Sequence, residues 1–256
     1  MEKAPKVSCL LAINRYDNYV PIAIQSILSQ TFTDYELIIL TNGDPGIKSK
    51  VESDFRDKRI KILYSPIQQL AHNLNRGLEI AQGEYVARMD GDDISMPERF
   101  EKQVKVLDDK EEKVLVSSAT YYIDEKGNDV ETQTKRKKWI NDKLWLKNSI
   151  NHSAAMFRKK NIIEAGGYAA VVAQDYELWL RLQRTHGDFY EIIPECHLKF
   201  RNHPGQTRGR IESYASSCGF LFREFIIRKD IRFLIGASIC LFRSFFLLKR
   251  NQQVSS

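Results

Sequence analysis

Apolar residues recur in two periods along this chain, and their alternation predicts its architecture. Val7 to Ile13 (VSCLLAI) is an almost unbroken apolar run, which suits a strand buried on both faces of a sheet. Ile24, Ile27 and Leu28 then recur at helical spacing behind Pro21, a residue tolerated in a helix's first turn, so a helix to about Gln30 follows. The exchange repeats. Glu36 to Leu40 (ELIIL) reads as a second strand ending in the turn cluster Thr41-Asn42-Gly43-Asp44-Pro45. Ile60 to Tyr64 reads as a third strand, Gln68 to Ala81 as a helix stopped by Gly83, and Glu84 to Met89 as a fourth strand. Strands alternating with helices over roughly 110 residues imply an α/β fold: a Rossmann-like, mostly parallel sheet flanked by helices.

The later pattern is less regular. Ser95-Met96-Pro97-Glu98 has the Ser-x-x-Glu spacing of a capping box with Pro just inside, and Phe100, Val104 and Leu107 continue an apolar helix face. Lys113 to Tyr122 and Val130 to Thr134 flank a hairpin turn at Asp124 to Asn128, and Lys135-Arg-Lys-Lys138 reads as a solvated basic run. Ala154 to Phe157 is a short strand, a helix ends at Gly166-Gly167, and another starts at Gln174. Phe189 to Ile193 and Cys196 to Phe200 look like two closing strands. Past residue 207 the pattern turns helical, with Ile211, Tyr214, Ala215, Cys218, Phe222, Phe225 and Ile226 on one stripe. Phe233 to Phe242 then offers only ten uncharged residues before Arg243, short of the ~20 that span a bilayer. The chain thus divides into a domain at 1–207 and a helical C-terminal extension at 208–256.

Charge sharpens that division. The formal net charge of +6 lies wholly between Arg208 and Arg250, where nine basic residues face three acids; the rest balances at 30 of each sign. An apolar helical tail ringed by Arg228, Lys229, Arg232, Lys249 and Arg250 suits an anionic membrane surface, so residues 208–250 are expected to lie on one. The other reading of the tail is a helix that packs on the domain or makes a dimer. Its aromatic residues cluster with aliphatics and no base-reading motif is present, so a nucleic-acid partner is not expected. The four cysteines are far apart, which excludes a disulfide framework or zinc finger, and the opening MEKAPKV shows no signal-peptide pattern. The expectation is a cytoplasmic protein, peripheral at the inner face of the membrane.

The candidate chemistry sits where the fourth strand gives way to a helix. Asp90, Asp92 and Asp93 lie within four positions, and carboxylates so close repel one another unless a cation such as Mg²⁺ or Mn²⁺ is held. The alternative is an acidic turn that favours the following helix N-terminus. An EF-hand loop starting at Asp90 fails, because Ile94 and Ser95 occupy the places that need an oxygen ligand and a glycine. A phosphatase using Asp-x-Asp remains a rival, although its motif would follow the first strand and not the fourth. A catalytically inactive sugar-nucleotide-binding or membrane-associated scaffold is the rival from outside the enzymes.

Residues Glu84 to Gln103 (EYVARMDGDDISMPERFEKQ) resemble the segment around the Asp-x-Asp motif of glycosyltransferase family 2, nucleotide-sugar enzymes of the GT-A fold, and the resemblance covers roughly residues 7–207. It implies that Asp90 contacts the donor's ribose or nucleotide and that Asp92, with Asp93, holds a divalent metal, Mn or Mg, on the diphosphate. Asn14 matches a nucleotide-pocket position, and Asn42 stands where the family usually has Asp, with a different donor and acceptor pattern. Arg76 and Arg88 match basic positions near the donor. Asp175, preceded by Gln174 instead of the usual Glu, matches the base that deprotonates the acceptor hydroxyl; read alone it would be a helix cap. His203, in Phe200-Arg-Asn-His-Pro204, resembles a histidine near the metal, and His152 one on the acceptor side. Trp179 and Leu182 read as helix packing. The resemblance implies a metal-dependent, inverting transfer from a nucleoside-diphosphate sugar to a glycan or lipid-linked acceptor in surface polysaccharide synthesis.

Overall fold

The computed structural model describes residues 3–130, 143–204 and 211–254, with 248–254 described by backbone alone. Its centre is an eight-stranded sheet in the order β3-β2-β1-β4-β7-β6-β8-β5. The strands are β1 (Val7–Ile13), β2 (Tyr35–Asn42), β3 (Ile60–Ser65), β4 (Tyr85–Asp90), β5 (Ile94–Ser95), β6 (Leu115–Ile123), β7 (Met156–Arg158) and β8 (Tyr190–Arg201). The helices are α1 (Tyr19–Leu28), α2 (Gly46–Asp54), α3 (Leu70–Ile80), α4 (Arg99–Asp109), α5 (Lys159–Glu164), α6 (Gln174–His186), α7 (Ile211–Arg228) and α8 (Ile231–Val254). The apolar runs of β1 and β2 are buried on both faces as predicted. Leu10, Ile38 and Leu40 pack against α3 and α6 on one side, and Leu11, Leu37 and Ile39 against α1 and α4 on the other.

Strands β3, β2, β1 and β4 run parallel, and the chain crosses from β3 to the far side of β1 before entering β4. This crossover puts the strand-order reversal between β1 and β4, the place where open α/β sheets bind ligands. Ala12 pairs with Asp90 there, so the acidic cluster begins at the carboxyl end of the central strand pair. Antiparallel β7 joins β4 to β6, and β6 pairs in parallel with β8.

Four sequence expectations need correction or a limit. The two closing strands are one, β8, which stays continuous past exposed Pro194 by shifting register against Ser118, Ala119 and Thr120. Proline lacks the ladder N–H, so an irregularity there is its usual setting. Second, Ser95 is no helix cap. Its backbone is committed to pairing with Leu198, and Gln30 instead accepts from the Phe100 N–H at 3.0 Å while donating to the Met96 carbonyl at 2.7 Å. Third, the apolar stripe of α7 is only partly buried. Cys218 and Phe225 pack against the core and Phe222 and Ile226 are exposed, while Leu221 and the fully buried Glu224, outside the stripe, are the buried residues of the helix. Glu224 can be buried because Arg184 of α6 and Arg223 and Arg228 of α7 all donate to it. Last, the hairpin after β6 is present as far as Asp129, which bridges Ile123, and Val130, but 131–134 and Lys135–Lys138 lie outside the described residues.

Helices α7 and α8 form an antiparallel pair. Phe233, Ala237 and Cys240 of α8 enter the same core as Leu144, Tyr176 and Trp179. Among the described residues no helix is long and apolar enough to cross a membrane.

Candidate active site

Three strand ends and one returning strand build the site. Asp90 closes β4, Asp92 and Asp93 follow in the turn, and oxygens of all three lie within 4.8 Å of one another. Asp93 is almost completely buried, and both its oxygens are used: Ser153 donates to Oδ2 at 2.5 Å and the Arg201 N–H to Oδ1 at 3.0 Å. Burial, reinforced by Asp90 and Asp92, pushes the Asp93 carboxyl well above its ordinary range. Asp92 keeps a more open position. His203 Nε2 lies 2.9 Å from its Oδ2, and the histidine ring packs on Tyr19.

Burial acts most strongly, to raise Asp90, but the Arg88 guanidinium 2.5 Å away, together with His152 and Ser153, holds the carboxyl below its usual value. Arg88 itself is buried with no partner at Nε. Three carboxylates of which one resists ionisation form a donor set of hard oxygens short of positive charge, which fits a divalent cation.

Arg201 ties this turn to its surroundings. Beyond its backbone bond to Asp93, its Nε donates to the Asp92 carbonyl at 2.9 Å and Nη1 to the carbonyls of Asp124 and Glu125 at 3.1 Å. The guanidinium also lies over the Tyr19 ring, 4.5 Å from its centre. The continuous β8 and its pairing with β5 make this possible, because they carry Arg201 and His203 back beside the acidic turn.

Asp175 lies in the first turn of α6, behind Ala173, which adopts left-handed φ 59°. Burial raises its carboxyl, with Asp90 adding to the rise. The opposing influences are the N–H groups at the helix start and Asn148, whose Nδ2 donates to Asp175 Oδ2 at 2.7 Å. A carboxylate with its affinity for protons raised above the ordinary is suited to take one from a hydroxyl. His152 stands between the two halves. Its Nε2 is 2.9 Å from the Tyr168 hydroxyl and its ring meets Trp179 edge-on at 5.9 Å. Burial, helped by Arg88, pushes its imidazole down to about 3, so it is neutral at ordinary pH.

The expected residues are thus brought to one end of the sheet unequally. Asp90, Asp92, Asp93, Arg88, His152 and His203 form one connected group, and Asp175 feels Asp90 electrostatically. Asn42 and Asn14 stand at the ends of β2 and β1. Asn42 donates one Nδ2 hydrogen to the Ile13 carbonyl at 3.1 Å, which leaves its side-chain oxygen and one amide hydrogen for a ligand. Arg76, on α3, spends one nitrogen on the Tyr64 carbonyl at 2.9 Å. Sequence reasoning missed Arg201, Ser153 and Asn148. Arg201 had a signal, since it lies two positions before His203; the other two are single polar residues whose partners are 60 and 27 positions away.

Comparison with known proteins bears on the family and the fold. The sequence profile described as "Glycosyl transferase family 2" matches residues 9–176. The chain is 34% identical over 235 residues to the O-antigen biosynthesis glycosyltransferase WbnJ of Escherichia coli, covering 88% of this chain and 91% of that protein. It is 30% identical over 230 residues to the amylovoran biosynthesis glycosyltransferase AmsE of Erwinia amylovora, covering 86% and 85%. Its fold is similar to that of S. aureus TarS 1–349 solved with UDP-GlcNAc, with a TM-score of 0.68 at 12% identity, over 86% of this chain and 66% of that one.

Proposed function

This chain belongs to glycosyl transferase family 2, and on that premise we propose that it moves a sugar from a nucleoside-diphosphate donor to a glycan or lipid-linked acceptor during synthesis of a surface polysaccharide. It is a glycosyltransferase of GT-A fold; family membership sets aside the phosphatase reading. The observation that carries the finer reading is a carboxylate turn suited to a cation together with Asp175, a carboxyl whose proton affinity is raised and which Asp90 acts on electrostatically. The named relatives serve O-antigen and amylovoran synthesis, and TarS is solved with UDP-GlcNAc and with UDP, which supports a polysaccharide product and a nucleotide-sugar donor.

The mechanism is a single inverting displacement. The acceptor hydroxyl oxygen bonds to the anomeric carbon as that carbon's bond to the diphosphate oxygen breaks, and the electron pair leaves with the nucleoside diphosphate. The hydroxyl proton passes to Asp175. Asp90 and Asn14 contact the nucleoside, Asn42 accepts an N–H of its base, and Arg76 and Arg88 supply positive charge on the donor side. Asp92, Asp93 and His203 are the residues that would hold a divalent metal, whose chemistry when bound is to neutralise charge on the departing diphosphate. His152, kept neutral, shapes the acceptor side with Tyr168.

The tail completes the reading. Ile231, Ile235, Phe242 and Phe246 are exposed along α8, beside a groove of about 850 Å³ that also takes in Tyr214 and Arg243. An exposed apolar face of this kind marks an interaction surface, and the basic residues around it favour an anionic membrane, with 208–256 as the attachment and 1–207 as the catalyst. A panel of UDP-, GDP- and dTDP-sugars offered with Mn²⁺ tests the function: sugar transfer or donor hydrolysis that disappears in Asp92→Ala supports it, and no turnover of any of these donors rejects it.

A further inference from the structure

Residues 143–150 form a loop held between α6 and α8. On one side the Tyr176 hydroxyl of α6 donates to the Leu144 carbonyl. On the other, Gly236 of α8 meets the Trp145 backbone so closely that a Cβ there would stand 1.8 Å from the Trp145 oxygen. Glycine is needed at 236 for this approach, since any side chain would displace the loop or the helix. Leu144 is fully buried in the core that Tyr176, Phe233 and Ala237 share.

The loop delivers one amide to the site. Asn148 Oδ1 accepts from the Ile150 N–H at 3.3 Å, which fixes the orientation of the side chain and leaves Nδ2 for Asp175 Oδ2 at 2.7 Å. We propose that Asn148 is a positioning residue for Asp175, and that the C-terminal helical pair sets its place by clamping the loop that carries it. The inference rests on Asp175 being the base. Asn148 holds the carboxylate in one rotamer and, by donating to its charged form, opposes the burial that favours the neutral acid. The helical pair is then more than an attachment, because a displacement of α8 reaches the base through Trp145 and Asn148. The other groups acting on Asp175 are Asp90 at the end of β4 and Tyr168 ahead of α6, along with the helix-start N–H groups; all remain when Asn148 is changed.

The test is the pH profile of transfer by the full-length protein and its Asn148→Ala, Tyr176→Phe and Gly236→Ala variants, with Asp175→Asn as control. Asn148→Ala should lower kcat roughly tenfold to a hundredfold with donor KM unchanged. Loss of the donated hydrogen bond should also move the acid limb to higher pH by about one unit. Tyr176→Phe and Gly236→Ala should move the limb the same way, and adding Tyr176→Phe to Asn148→Ala should bring no further shift. A rate lowered equally at every pH, with the limb of Asn148→Ala where it stands in the parent, overturns the inference, and so does a limb unmoved by Tyr176→Phe. Transfer retained by Asp175→Asn removes the base assignment itself, an outcome distinct from either.

Discussion

His203 Nε2 lies 2.9 Å from Asp92 Oδ2, although 111 positions separate the two residues in the chain. The contact exists because β8 runs unbroken from Tyr190 to Arg201 and pairs with β5, so the last strand ends beside the turn that β4 opens. A histidine at that distance from a carboxylate can share a cation with it or orient it. His203→Ala is therefore expected to weaken Mn²⁺ binding by roughly tenfold to a hundredfold. Calorimetric titration of the purified protein measures this, and an unchanged affinity would detach His203 from the metal.

The neutral state of His152 has a consequence for stability. Its pKa is pushed down from 6.5 to about 3 in the folded chain. The unfolded chain takes up a proton that the folded chain refuses, so stability falls as pH drops from about 6.5 toward 3. By linkage this group accounts for about 2 kcal/mol lost between neutral pH and pH 5. Urea unfolding at pH 7 and pH 5 should show a smaller acid loss in His152→Gln than in the parent, and equal losses would remove the assignment.

Helix α4 is begun by a side chain from outside its own segment. Gln30 accepts from the Phe100 N–H and donates to Ser95, Met96 and Ser26. Gln30→Ala should cost about 2–3 kcal/mol, since it strands several buried partners, and Ser95→Ala about 1 kcal/mol or less. Chemical denaturation of the two variants ranks them; a larger loss for Ser95→Ala would restore the capping box read from the sequence.

Some of these features are legible in the sequence and others are not, for physical reasons. The strands of the parallel half are plain because β1 and β2 are buried on both faces, which leaves continuous apolar runs. The acidic turn is legible because three carboxylates within four positions stand out in the sequence itself, and their mutual repulsion raises the question of a counter-charge before any fold is known. Gln30, Ser153 and Asn148 are hidden because a single polar side chain carries no period, and each acts on a residue far away in sequence. The stripe of α7 is only partly inside because spacing rules count apolar residues alone. Glu224, held by three arginines, takes a buried place beside Leu221, and Phe222 and Ile226 stay outside.

The exposed apolar face of α8 bears on the membrane proposal. Replacing Phe242 and Phe246, which are 71% and 66% exposed, with Glu should leave the fold intact and abolish co-sedimentation with vesicles containing anionic lipid. Co-sedimentation of the double variant at the parent's level would show that the attachment lies elsewhere.

The most direct test of the central claim is transfer by Asp175→Asn, measured beside its binding of the donor that the panel selects. Asn keeps the size of the side chain and removes the ability to take a proton. Donor affinity should stay close to the parent's while transfer falls by roughly a hundredfold or more. Transfer at the parent's rate would contradict Asp175 as the base and move that role to another group.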